Sequence, residues 1–121
     1  MYRFFSACFG TIFIVFGVLA IIQPARSLAL FYLSLPEGAA ERTIVEALMA
    51  VYGIRDIFIG FAIYAATWFG SNTALGWIVI AAAAVAVGDG AVCKVYAGSG
   101  EWTHWGYTPT VALVGYRLLL E

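Results

Sequence analysis

Tyr52, Arg55 and Asp56 stand at i, i+3 and i+4 within the run Glu46-Ala-Leu-Met-Ala-Val-Tyr-Gly-Ile-Arg-Asp-Ile-Phe-Ile-Gly60. On a helix, that spacing sets the tyrosine beside both charged side chains. A second aspartate, Asp89, sits between Gly88 and Gly90 in an otherwise apolar stretch. Two carboxyl groups around one guanidinium can do acid–base chemistry: one stays ionised while the other keeps its proton, so a base and an acid coexist at one pH. Tyr52 can add a hydrogen bond to an oxygen that gains negative charge. Asp56, Asp89, Arg55 and Tyr52 are therefore the catalytic candidates. His104, between Trp102 and Trp105, is an auxiliary candidate as proton shuttle or headgroup ligand. Glu46 is the other auxiliary candidate, although snorkelling to water accounts for Glu46 and Lys94 without any role.

The competing reading makes Arg55 and its acids an interhelical salt bridge that locks a bundle, with Gly88 and Gly90 only allowing close approach. Two considerations weigh against it. A buried ion pair stabilises weakly, because desolvation offsets much of the attraction. Two acids also exceed what one arginine needs. No metal is expected: one histidine, the dispersed Cys8 and Cys93, and an arginine beside the acids make a poor cation site. No cofactor motif is present either.

The elements that must hold this cluster follow from composition. Of 121 residues, 64% are hydrophobic and 11% charged, which is outside the range of water-soluble domains. Lipid must solvate most side chains, so the fold class expected is an all-α, integral membrane four-helix bundle forming a single domain. The net charge of −1 and the scattered Lys and Arg leave no footprint for nucleic acid.

The spans expected are residues 4–22, 43–68, 73–96 and 101–120, with an interfacial or re-entrant segment over 25–42 lying as a lid at one end. The first apolar run, at roughly 19 residues, exceeds the apolar region of a signal peptide and reads as a retained span. Its Ser6, Gly10 and Gly17 form a small-residue stripe suited to close helix packing. Phe5, Phe9, Phe13 and Phe16 form another stripe, for which lipid-facing bulk is the preferred reading over a pocket wall. Trp68–Asn72 and Gly98-Ser-Gly100 read as turns, and Pro109 as a kink within span four. With about 1.5 Å of rise per residue, Asp56 lies about 18 Å, Tyr52 about 13 Å, Asp89 about 10 Å and His104 about 5 Å from one face of the bundle. At those depths they line one funnel. A lone Arg or Asp against hydrocarbon costs at least ~2.5–3.5 kcal/mol, so Arg55 must find Asp56 or Asp89.

Tyr52-Gly-Ile-Arg-Asp-Ile-Phe-Ile-Gly60, Gly88-Asp-Gly90 and a histidine near the start of the last helix resemble a family of small fungal four-helix membrane proteins of largely uncharacterised function. That resemblance covers most of the chain. It implies an accessory enzyme of secondary-metabolite biosynthesis in an endoplasmic-reticulum membrane, alone, as a homo-oligomer or associated with other pathway enzymes. Chemically, the Asp-Arg-Asp set with a tyrosine is similar to the site of limonene-type epoxide hydrolases, which have a different, soluble fold; there one Asp activates water and the other protonates the epoxide oxygen. Small membrane-embedded fungal terpenoid cyclases use carboxylic acids in the same first step. These likenesses imply opening of an epoxide, by hydrolysis or cyclisation, on a lipophilic polyketide or terpenoid partner drawn from membrane lipid. The non-enzymatic alternative is a structural or partner-binding bundle.

Overall fold

The computed structural model describes residues 1–121 and is all-helical. Six α-helices follow in order: α1 (Tyr2–Ile22), α2 (Pro24–Ala29), α3 (Ala39–Phe69), α4 (Asn72–Val92), α5 (Trp102–Trp105) and α6 (Thr108–Leu119), with one π-helical turn, Cys93–Ala97, continuing α4. α1 stops at Gln23, whose N–H reaches the Leu19 carbonyl at 2.8 Å, because Pro24 has no N–H to carry the ladder on. Pro24 instead opens α2, where the first-turn donors are unpaired anyway. α3 ends at Gly70, and Ser71 caps α4 through its Oγ, which accepts from Ala74 N at 3.1 Å. Arg3 closes this turn from the far end of α1. It donates to the carbonyls of Thr67 and Gly70 and, at 2.7 Å, to Asn72 Oδ1, satisfying acceptors that a helix C-terminus leaves open.

Two antiparallel pairs make up the bundle. In the first, α1 and α3 touch through glycines seven residues apart on each helix. Gly17 faces Gly53 and Gly10 faces Gly60. A side chain on Gly17 would start 2.5 Å from the Gly53 carbonyl, and one on Gly60 would start 2.6 Å from that of Gly10. Backbone therefore lies on backbone. The second pair, α4 and α6, repeats the device with Gly76 against Gly115, where an added Cβ would meet the opposite carbonyl at 2.8 and 2.9 Å. Phe13, Ile63, Leu75, Val79, Val111 and Leu118 fill the core where the two pairs meet. Gly17→Ala is expected to lose about 1–3 kcal/mol of stability by overpacking. Gly88→Ala, whose Cβ would meet nothing within 4 Å inside α4, should cost no stability and raise it by up to about 1 kcal/mol. Reversible detergent unfolding followed by circular dichroism reads both.

Two helices, Tyr2–Ile22 and α4 with its π turn (Asn72–Ala97), are long and apolar enough to cross a membrane. α3 has the length, 31 residues or about 46 Å, but carries Glu41, Arg42, Glu46, Arg55 and Asp56. The fourth span differs from its expectation. It is not one helix kinked at Pro109 but two, broken at Gly106 and Tyr107, with Pro109 in the first turn of α6. The 12 residues of α6 extend about 18 Å, short of a hydrocarbon core of about 30 Å. Proline excludes its own N–H from the ladder, so α6 begins there instead of continuing α5.

Candidate functional site

Arg55 holds both aspartates. Its Nη1 and Nη2 donate to Asp89 Oδ1 and Oδ2 at 3.1 and 2.9 Å, a fork-to-fork pair that joins α3 to α4. Its Nε and Nη2 donate to Asp56 Oδ1 at 3.1 and 3.0 Å. Asp56 thus gives the guanidinium one oxygen and Asp89 gives both. Arg55 Cζ lies 4.5 Å from the centroid of the Tyr52 ring, so the i, i+3 spacing produces a cation–π contact. Asp56 is buried, and Asp89 and Arg55 are partly buried.

Beside the cluster lies a cavity of about 320 Å³. Tyr52, Asp56, Asp89 and His104 all border it, so the four depths estimated above converge on one space. Phe9, Phe13 and Phe16 form much of its apolar wall. This overturns the lipid-facing reading for three members of the phenylalanine stripe; Phe5 alone is outside and exposed. Helical period identifies a shared face but does not tell lipid from an internal void, since both are apolar.

Residues of the 25–42 segment pack against one end of the cavity. Leu30 lines the cavity, and Phe31 is buried between the Tyr52 ring, edge-on at 5.3 Å, and the His104 ring at 4.7 Å. Thr103 Oγ1 lies 3.0 Å from the Leu30 carbonyl and ties this segment to α5. Tyr32 takes a left-handed φ of 58° to turn the chain here, and Gly100, at φ 94°, packs against its ring with no space for a side chain. α5 is fixed to α4 in turn. Trp105 Nε1 donates to the Val87 carbonyl at 3.1 Å, and its indole occupies the space that a side chain on Gly90 would need. Gly90 therefore permits close approach as expected, while Gly88 faces open space. Lys94 Nζ pairs with Glu101 Oε1 at 3.1 Å across the turn between the π segment and α5.

His104 is buried in this corner, and its Nε2 has no hydrogen-bond partner. Glu46 is elsewhere: it is half-buried and accepts from Arg42 Nε at 3.0 Å, an i, i+4 surface pair well over two turns from Asp56. Two polar cavity residues escaped the sequence reading, Thr103 and Tyr107. The signal available was Gly106-Tyr-Thr-Pro109, a helix break that leaves Tyr107 at the edge of the cavity. Chemically, the arrangement offers two carboxyl groups sharing one cation at the edge of an apolar chamber, with phenol and imidazole groups in the same wall.

No curated protein and no solved structure matches this sequence. A family profile described as a domain of unknown function matches residues 10–118, which takes in the glycine contacts, the Arg55 cluster and His104. The chain belongs to that family, DUF4267.

Proposed function

We propose that this protein is an integral membrane bundle of four spans, the fourth made jointly by α5 and α6, and an acid–base enzyme that opens the epoxide of a lipophilic polyketide or terpenoid intermediate. The observation that carries the reading is the pair of carboxyl groups on one guanidinium at the edge of an apolar cavity. One guanidinium balances one carboxylate, so the cluster is neutral with a single proton on the pair. Asp89, with both oxygens accepting from Arg55, is the ionised member; Asp56 has an oxygen clear of the guanidinium to carry the proton. Asp56 gives that proton to the epoxide oxygen as the C–O bond breaks, and Asp89 takes one from the attacking water, yielding a diol. The proton then returns from Asp89 to Asp56. An internal hydroxyl in place of water gives a cyclic ether by the same steps. Arg55 orients both carboxyl groups, and Tyr52 supports the developing alkoxide. An endoplasmic-reticulum membrane and a secondary-metabolite pathway are the setting that fits such a substrate.

The test is direct. Protein in lipid nanodiscs is incubated with a series of long-chain epoxides in ¹⁸O-labelled water, and products are read by mass spectrometry. A diol carrying one ¹⁸O, or an unlabelled cyclic isomer, above the level of empty nanodiscs is the expected result. Unchanged epoxide across the series overturns the reading.

A further inference from the structure

The cavity is not evenly enclosed. Phe13, Asp56, His104 and Val111 at its floor are 8% exposed or less, whereas Ile12, Phe16 and Tyr107 at its rim are 48%, 39% and 41% exposed. The mouth therefore lies between α1 and the corner where α5 meets α6. Its position along α1 is informative. Ile12 is ten residues from each end of Tyr2–Ile22, roughly 15 Å either way, which is half the thickness of a hydrocarbon core of about 30 Å. An opening at that level on an apolar span faces the acyl chains and not water.

We infer that this mouth is a lateral portal at mid-membrane depth, and that its ligand is a single-chain lipophile bearing its reactive oxygen at one end. The inference rests on the membrane and acid–base reading above. Polarity and size set the direction of entry. The buried floor holds Asp56, so the oxygen-bearing end goes in first. A chamber of about 320 Å³ is at the small end of the roughly 300–1,000 Å³ of small-molecule sites, so a long chain does not fit whole. Its apolar remainder trails past Ile12 and Phe16 into the bilayer, where it stays solvated without cost. An epoxide in the middle of a chain, or one on a compact polycycle, does not reach Asp56 by this route.

A hexadecanol carrying a diazirine next to its hydroxyl group is a suitable probe, since it has the shape of the ligand but no epoxide to react. The protein in phosphatidylcholine nanodiscs is irradiated with it and the labelled residues are mapped by mass spectrometry. Labelling of the cavity floor is expected, with a loss of at least tenfold on Ile12→Trp or Phe16→Trp, either of which plugs the rim. Val15→Trp, on an exposed position outside the cavity, should label as wild type does. An unlabelled floor in the wild type, or floor labelling undiminished in both rim variants, overturns the portal. The two readings fail separately: a labelled floor without epoxide turnover condemns the reaction and keeps the portal, while full epoxide turnover in both rim variants condemns the portal and keeps the reaction.

Discussion

Asp56→Asn is expected to lower turnover of a lipophilic epoxide by about 10²–10⁴-fold, the usual contribution of a general acid, equivalent to roughly 3–5 kcal/mol of transition-state stabilisation. The amide has no acidic proton to give. It can still accept from Arg55 through its own oxygen, and Asp89 continues to balance the guanidinium through both of its oxygens. Fold and insertion should therefore be retained, which helical content in detergent and an unchanged elution volume would verify. This separation distinguishes catalysis from packing. If the cluster were only a clamp between α3 and α4, Asp56, which lies on the same helix as Arg55, would contribute little to it, and Asp56→Asn would be silent in any assay. Equal turnover in wild type and variant would favour that clamp.

Arg55→Met should show the second large effect, this time on stability. Removing one partner from a buried ionic set leaves the other uncompensated and costs about 3–5 kcal/mol. Here two carboxyl groups lose their shared cation, and the link from α3 to Asp89 goes with it. Adding Asp56→Asn and Asp89→Asn to Arg55→Met removes the stranded carboxylate and the acid beside it and should recover most of the loss, because neutral groups of similar size fit the same space. Unfolding midpoints in mixed micelles of increasing SDS fraction measure both variants. A triple variant no more stable than Arg55→Met alone would mean that the cluster contributes through geometry and not through charge.

The part of this arrangement that was legible in the sequence is the part enforced by solvent. A charge in a segment as apolar as the one around Asp89 must have a partner, and Arg55 was the available cation, with Asp56 beside it on the same helix; the structure pairs Arg55 with both aspartates. The stripe of Ser6, Gly10 and Gly17 was readable too, as small residues in an otherwise apolar helix let backbones approach closely. Its partner was less evident. Gly53 and Gly60 repeat the spacing of seven, yet they lie inside the polar run that drew attention to chemistry. The cavity was not legible. Phe9, Phe13 and Phe16 have the same pattern whether they face lipid or a void, and only the break before α6 decides which. Tyr107 and Thr103 depended on that break as well.

The glycine-on-glycine contacts lie within one pair or the other, Gly10 and Gly17 with Gly60 and Gly53, and Gly76 with Gly115. Between the pairs, no glycine faces a glycine, and the cavity with its ion pairs lies along the seam: Tyr52, Arg55 and Asp56 come from one half, and Asp89, His104 and Tyr107 from the other. Neither half has a binding site of its own. Occupancy and cohesion of the halves are then linked quantities, since a ligand that binds only the joined form tightens the seam by RT ln(1 + [L]/Kd). If a ligand fills that cavity, the unliganded protein would be the looser state, and the two helix pairs would be the units that move against each other as it arrives or leaves.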